Sequence, residues 1–140
     1  MADSRQIADS LAGLGLFADL SGPELEGVAH TFDEAWFPEG QRVLRQGFTG
    51  TGFYVILEGE VAIIVDGEER ARLARGDFFG EASILLGEPP LADVVATRPL
   101  RCLHLAGPQL QEFLHGHPRV SYRMLQEQTR RLRNANLWQR

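Results

Sequence analysis

The spacing of hydrophobic residues changes twice along the chain. Ile7, Leu11 and Leu14 recur at helical intervals, and Gly13 and Gly15 loosen the end of that segment. Ser21-Gly22-Pro23-Glu24 has the form of a capping box, with Ser21 as cap and Glu24 at the third helical position. The helix it opens turns Leu25, Val28 and Ala29 inward. Ala35-Trp36-Phe37 then switches to strand chemistry, which Pro38-Glu39-Gly40 interrupts. Up to residue 105 the pattern is short apolar runs: Arg42–Arg45, Phe53–Leu57, Glu60–Val65, Arg70–Leu73, Leu91–Ala96 and Leu100–Leu105. Gly47, Gly50, Gly52, Gly59, Gly67 and Gly76 punctuate them. Asp66-Gly67 between two runs predicts a two-residue hairpin, whose turn needs positive φ at both positions. Strands and turns this closely spaced predict an all-β barrel or roll.

The helical period returns at Gly107-Pro108, where Leu110, Phe113 and Leu114 form an apolar face, and Gly116-His117-Pro118 ends that helix and starts another. In the last helix Tyr122, Leu125, Thr129, Leu132 and Asn136 recur at alternating intervals of three and four, the seam of a coiled-coil partner helix. Two burials compete for this stripe: the chain's own barrel over the first turns, and a partner beyond them. The helix outruns what a roll can cover, so a parallel homodimer through Tyr122, Leu125, Thr129 and Leu132 is expected. The expected organisation is one domain over residues 1–140, with helices at 4–30, a β-roll at 34–105 and helices at 108–140.

Composition narrows the function. The 140 residues carry a formal net charge of -5, so counterion release gives the chain little affinity for DNA or RNA. No DNA binding by this chain alone is expected. The single cysteine, Cys102, excludes an internal disulfide and sits in an alternating strand pattern that predicts a buried, inert thiol. The apolar stretches are far too short to span a bilayer, and the N-terminus lacks the apolar core of a signal peptide. No membrane partner is expected, and a cytoplasmic location is. No G-x-S-x-G elbow, H-E-x-x-H pair or Walker loop is present, so the chain reads as non-catalytic. Glu112, His115 and His117 straddle the break at Gly116 and read as surface residues, not as a metal site.

Two stretches resemble the cyclic-nucleotide-binding domain family, which includes the catabolite activator proteins and the regulatory domains of kinases and channels. The first is Gly40, Gln46-Gly47, Phe53-Tyr54, Ile56, Gly59 and Val61. The second is Leu73-Ala74-Arg75-Gly76-Asp77-Phe78-Phe79-Gly80-Glu81, the run leading into the family's phosphate-binding cassette. The resemblance implies an eight-stranded double-stranded β-helix (a β-roll or jelly roll) with N-terminal helices and a long C-terminal helix. It also implies a regulatory role, with cyclic AMP or cyclic GMP as the ligand class. The pocket it implies comprises Phe79, Gly80, Glu81, Ala82, Ser83, Pro90, Leu91, Ala92, Asp93 and Asn136. Gly80 would let backbone approach a ligand, and ionised Glu81 offers acceptors suited to a ribose hydroxyl. The short helix near Ala82-Ser83 would aim N–H groups at an anion.

The cassette departs from the family where the phosphate is held. The family places an arginine after a proline, then a small residue, alanine and often threonine. Here Pro89 is followed by Pro90, Leu91, Ala92 and Asp93. Each hydrogen bond to a charged group is worth roughly 1.5–3 kcal/mol, so a lost bidentate arginine removes about 3–6. That weakens cyclic-nucleotide binding on the order of 10²–10⁴-fold. Asp93 would add repulsion if it faced the pocket. Arg42, Arg45, Arg72, Arg75, Arg98 and Arg101 are the candidates for a replacement cation. The family's base-contacting pair on the last helix falls at Ala135 and Asn136, where Asn136 serves a base edge or sets helix register.

The sequence therefore predicts a sensor whose pocket is empty or adapted to a less anionic, nucleotide-like ligand. A ligand-free dimerisation scaffold and the sensor portion of a catabolite activator-type regulator are the alternatives. An open cavity beneath Glu81 marks the first; a site filled by Leu91 and Phe78 marks the scaffold.

Overall fold

The computed structural model describes residues 3–48 and 52–138, with side chains described through Ala135. Two N-terminal helices, α1 (Ser4–Ala12) and α2 (Gly22–Thr31), flank a 3-10 turn at Gly15–Phe17. The capping box at Ser21 forms as expected, with the Glu24 N–H donating to Ser21 Oγ and the Ser21 N–H to Glu24 Oε1. A second capping box, between Asp3 and Gln6, opens α1.

Eight strands follow. They are β1 (Asp33–Phe37), β2 (Arg42–Leu44), β3 (Gly52–Glu58), β4 (Glu60–Val65), β5 (Glu68–Ala74), β6 (Phe78–Phe79), β7 (Asp93–Ala96) and β8 (Leu100–Ala106). They form two four-stranded antiparallel sheets, one ordered β1-β8-β3-β6 and the other β2-β7-β4-β5. The β-roll with helices at both ends is the architecture the sequence predicted. Asp66 and Gly67 both take positive φ, 52° and 80°, and close the β4–β5 hairpin.

Within the first sheet, β3 packs against apolar side chains on both faces, which explains the unbroken hydrophobic run at Phe53–Leu57. Phe53, Val55 and Leu57 of β3, Leu103 and Leu105 of β8, and Phe78 of β6 turn outward into a core shared with the helices. Ile56, Leu100, Cys102 and Phe79 turn inward to meet Leu44, Val61, Val94 and Ala96 of the second sheet. The period-two alternation of β-strands thus builds two cores from one sheet. Cys102 is fully buried between the sheets, where burial pushes its thiol up to about 12 and leaves it inert at neutral pH.

Three helices complete the chain: α3 (Glu81–Leu86), between β6 and β7, then α4 (Gly107–Gly116) and α5 (Pro118–Trp138). Val120 and Met124 bury one side of α5 against the outer core. Its first turns are tied to the N-terminal segment by ion pairs from Arg119 to Glu24 and from Arg123 to Asp19. Tyr122, Leu125 and Leu132 lie on the other side and are more than 60% exposed. The stripe does not pack on the chain's own barrel. No helix among the described residues is long and apolar enough to cross a membrane.

Candidate functional site

A cavity of about 510 Å³ opens between the second sheet, the cassette and α5. Leu44, Val94, Ile63 and Leu73 supply its sheet side, one from each strand in the order β2-β7-β4-β5. Phe79, Gly80, Glu81, Ala82 and Ser83 form one edge, Pro90, Leu91 and Ala92 another, and Arg131, Asn134 and Ala135 of α5 overhang it. Phe79, Gly80, Glu81, Ala82, Ser83, Pro90, Leu91 and Ala92, expected from the sequence, therefore share one cavity. Asn136 lies outside the residues whose side chains are described.

Asp93 requires a correction. It is not part of the cavity wall. Along β7 the side chains alternate, and Val94 and Ala96 take the inner face, leaving Asp93 directed away. Its Oδ1 accepts the Gln46 N–H at 2.8 Å, and Oδ2 stands 3.7 Å from Arg42 Nε. The Gln46 side chain then pairs with both the carboxylate and the backbone N–H of Asp66. Asp93 therefore anchors a connection between the β2–β3 loop and the β4–β5 turn. Repulsion of a bound anion is not its role.

Gly80 is also explained by structure more than by ligand. It adopts φ 94° ahead of α3, and a Cβ there would sit 1.9 Å from the Gly52 carbonyl oxygen. The close approach that demands glycine is that of β3.

Glu81 is the buried charge of the site. Its Oε1 accepts hydrogen bonds from Gln128 Nε2 at 2.9 Å and Arg131 Nη1 at 3.3 Å. Its Oε2 is buried without a partner, as is Ser83 Oγ. Desolvation raises the Glu81 carboxyl above its ordinary value, against the opposing pull of Arg131, the local backbone N–H groups and Gln128. Arg131 is fully engaged: Nη2 donates to the Phe78 carbonyl at 2.9 Å and its guanidinium lies over the Phe78 ring. Phe78 itself points into the outer core and leaves the cavity open.

None of the six arginines considered as replacement cations lines the cavity. Arg42 pairs with Asp93, Arg72 with Glu60 and Glu69, and Arg101 with Glu34 and Glu58. Arg75 donates to the carbonyls of Leu57 and Ser10, while Arg45 and Arg98 are exposed. The guanidinium groups among the lining residues are Arg131 and Arg70, and Arg70 stands on β5, at the far side of the sheet from Leu44. Sequence reasoning missed both. Arg70 sits in an exposed, charge-rich edge strand, and Arg131 reads like any other arginine of the α5 surface.

The comparisons agree with this architecture. A family model described as a cyclic nucleotide-binding domain matches residues 34–117. The cGMP-dependent protein kinase egl-4 of Caenorhabditis briggsae is 35% identical over 100 residues, covering 67% of this chain and 13% of that relative. The chain thus spans only a small fraction of that relative's length. The Thermus thermophilus catabolite activator protein superposes with a TM-score of 0.76 at 29% identity, over 87% of this chain and 60% of that one. The regulatory subunit of a cAMP-independent protein kinase A from Trypanosoma cruzi, bound to guanosine, gives 0.72 at 27% identity, over 84% and 43%. With the roll, the cassette strand-turn-helix and the cavity beneath α5 all in place, the matched segment runs from β1 into the end of α4, and the chain belongs to the cyclic nucleotide-binding domain family.

Proposed function

We propose that this domain is a regulatory sensor whose cavity takes an uncharged nucleoside in preference to cyclic AMP or cyclic GMP. The observation that carries this reading is Pro90: it lines the cavity wall, and the sequence resemblance sets the family's arginine at its place. Among the lining guanidinium groups, Arg131 is spent on Glu81 and Phe78, and Arg70 belongs to β5. A ribose hydroxyl would donate to Glu81, whose Oε2 has no partner in the free protein. The guanosine bound by the trypanosomal relative supports a nucleoside as the ligand class. The open cavity favours sensing over a vestigial scaffold.

Response would pass through α5. Gln128 and Arg131 hold the same carboxylate that the ligand engages, so occupancy and the seating of α5 are linked, and linkage works in both directions. The exposed stripe of Tyr122, Leu125, Thr129 and Leu132 gives α5 a face for a symmetric second copy. Replacing Leu125 and Leu132 by Ser should yield a folded monomer in sedimentation. An unmodified protein already monomeric at high concentration defeats the dimer.

Calorimetric titration with guanosine, adenosine, cyclic AMP and cyclic GMP tests the ligand. The expected result is saturable nucleoside binding and much weaker cyclic-nucleotide binding. Sub-micromolar affinity for cyclic AMP or cyclic GMP overturns the reading.

A further inference from the structure

The wall at Pro90 specifies more than the loss of a cation. Leu44, Pro90, Ala92 and Val94 meet there, and Leu44, Pro90 and Val94 are buried. The Pro90 ring presents carbon to the cavity, and its carbonyl is occupied by the Gly47 N–H at 2.8 Å. Asp93, the charged residue of this segment, is turned away onto Gln46. On the edge formed by Phe79–Ser83, Glu81 and Ser83 are the polar side chains, and the Ser83 Oγ is buried and unpartnered. This end of the cavity is therefore apolar, with a single hydroxyl beside it.

A cyclic phosphate joins the 3′ and 5′ oxygens of the ribose, and the family's arginine at this position holds that phosphate. A nucleoside that sets its 2′ and 3′ hydroxyls on Glu81 turns the opposite, 5′ side of its ribose toward the other edge, at Pro90. Without a phosphate and without an arginine, a plain nucleoside leaves a gap between that carbon and the Leu44–Pro90–Val94 wall. Such a gap offers water too few polar partners, and leaving it empty forfeits packing.

On the reading that the ligand is a nucleoside, we infer that it carries a compact apolar group at the 5′ position, as in the 5′-deoxy-5′-alkylthio nucleosides. A methylthio group puts two heavy atoms against Leu44, Pro90 and Val94. Its sulfur is a weak acceptor that Ser83 Oγ–H can face at no desolvation penalty. Burial of two methylene-sized groups corresponds to about a tenfold gain in affinity.

The test compares each parent, adenosine and guanosine, with its own 5′-deoxy-5′-methylthio derivative, by calorimetry on the full chain. Using matched pairs removes the base from the comparison. The expected result is that in at least one pair the methylthio compound binds about tenfold more tightly than its parent, and that Pro90→Arg abolishes this preference. Parents that bind as tightly as, or more tightly than, their derivatives overturn the 5′ assignment and leave the nucleoside reading standing. Absence of binding by all four compounds overturns both. If Pro90→Arg fails to fold, Leu44→Thr, which adds a hydroxyl to the same wall, should narrow the ratio. An unchanged ratio in that variant places the 5′ group elsewhere and defeats the inference.

Discussion

The two edges of the cassette have diverged to different degrees. At Gly80–Ser83 the family pattern persists, and most of it is held in place by the fold. Gly80 answers to the Gly52 carbonyl, and Glu81 answers to Gln128 and Arg131. At Pro90–Asp93, where the resemblance sets the family's arginine, the residues present divide their roles. Pro90 faces the cavity with carbon, whereas Asp93 leaves the cavity to secure Gln46. A motif can thus be held by backbone geometry at one edge of a cavity while the other edge is free of that constraint. On the proposed nucleoside reading, persistence of the first edge is weak support for an unchanged ligand, and the second edge sets the charge of what binds.

The largest effect expected from breaking this division is at Pro90. Pro90→Arg restores a guanidinium to the wall, and cyclic AMP or cyclic GMP affinity should rise on the order of 10²–10⁴-fold in calorimetry. The single substitution is the right one, because Asp93 does not oppose the ligand. A gain of less than tenfold would mean that the second edge does not control ligand charge.

Gly80→Ala attacks the first edge. It combines positive φ with a 1.9 Å contact to backbone, so destabilisation of about 3 kcal/mol and a Tm lower by about 10 °C are expected without any ligand. An unchanged Tm would return this glycine to a purely ligand-facing role.

Asp93→Ala sharpens the comparison from the other side. Loss of a part-buried hydrogen bond to a charged acceptor should cost about 1–2 kcal/mol in denaturant unfolding, with no gain in cyclic-nucleotide affinity. Improved anion binding in this variant would put the carboxylate back in the pocket.

The smallest effect is at Glu81. A carboxyl whose folded pKa is raised contributes stability that is full below its unfolded value and is lost as pH rises through the folded one. Glu81→Gln should therefore gain stability relative to the parent as pH rises above the ordinary carboxylate range, with the gain fading as pH falls back into it. Nucleoside affinity should drop in the same variant. A loss of stability at neutral pH would show that the ion pair with Arg131 outweighs the burial of the charge.

Legibility in the sequence followed the range of the interactions involved. The β4–β5 hairpin was readable at Asp66-Gly67 because two adjacent residues fix that turn, and the start of α2 at Ser21 because a capping box spans four. The six strand runs from Arg42 to Leu105 fall on β2, β3, β4, β5, β7 and β8. The two-residue β6 escaped periodicity, since Phe78 and Phe79 are too few to show alternation; in the structure they face opposite cores.

The sequence by itself determined the β-roll with its flanking helices, the family of the cassette, the Pro89-Pro90 pair within it and the apolar stripe on α5. These are local patterns of turn chemistry and periodicity, and each is complete within a few neighbouring residues. The tertiary structure decided which way Asp93 points, what Gly80 avoids, which guanidinium groups reach the cavity and which face of α5 remains exposed. Each of those depends on partners far away in the chain: Gln46 for Asp93, Gly52 for Gly80, Glu81 for Arg131 and the outer core for Val120 and Met124. Contacts across tens of residues leave no periodic trace along the chain, because they are specified by the packing of the two sheets and the helices against one another.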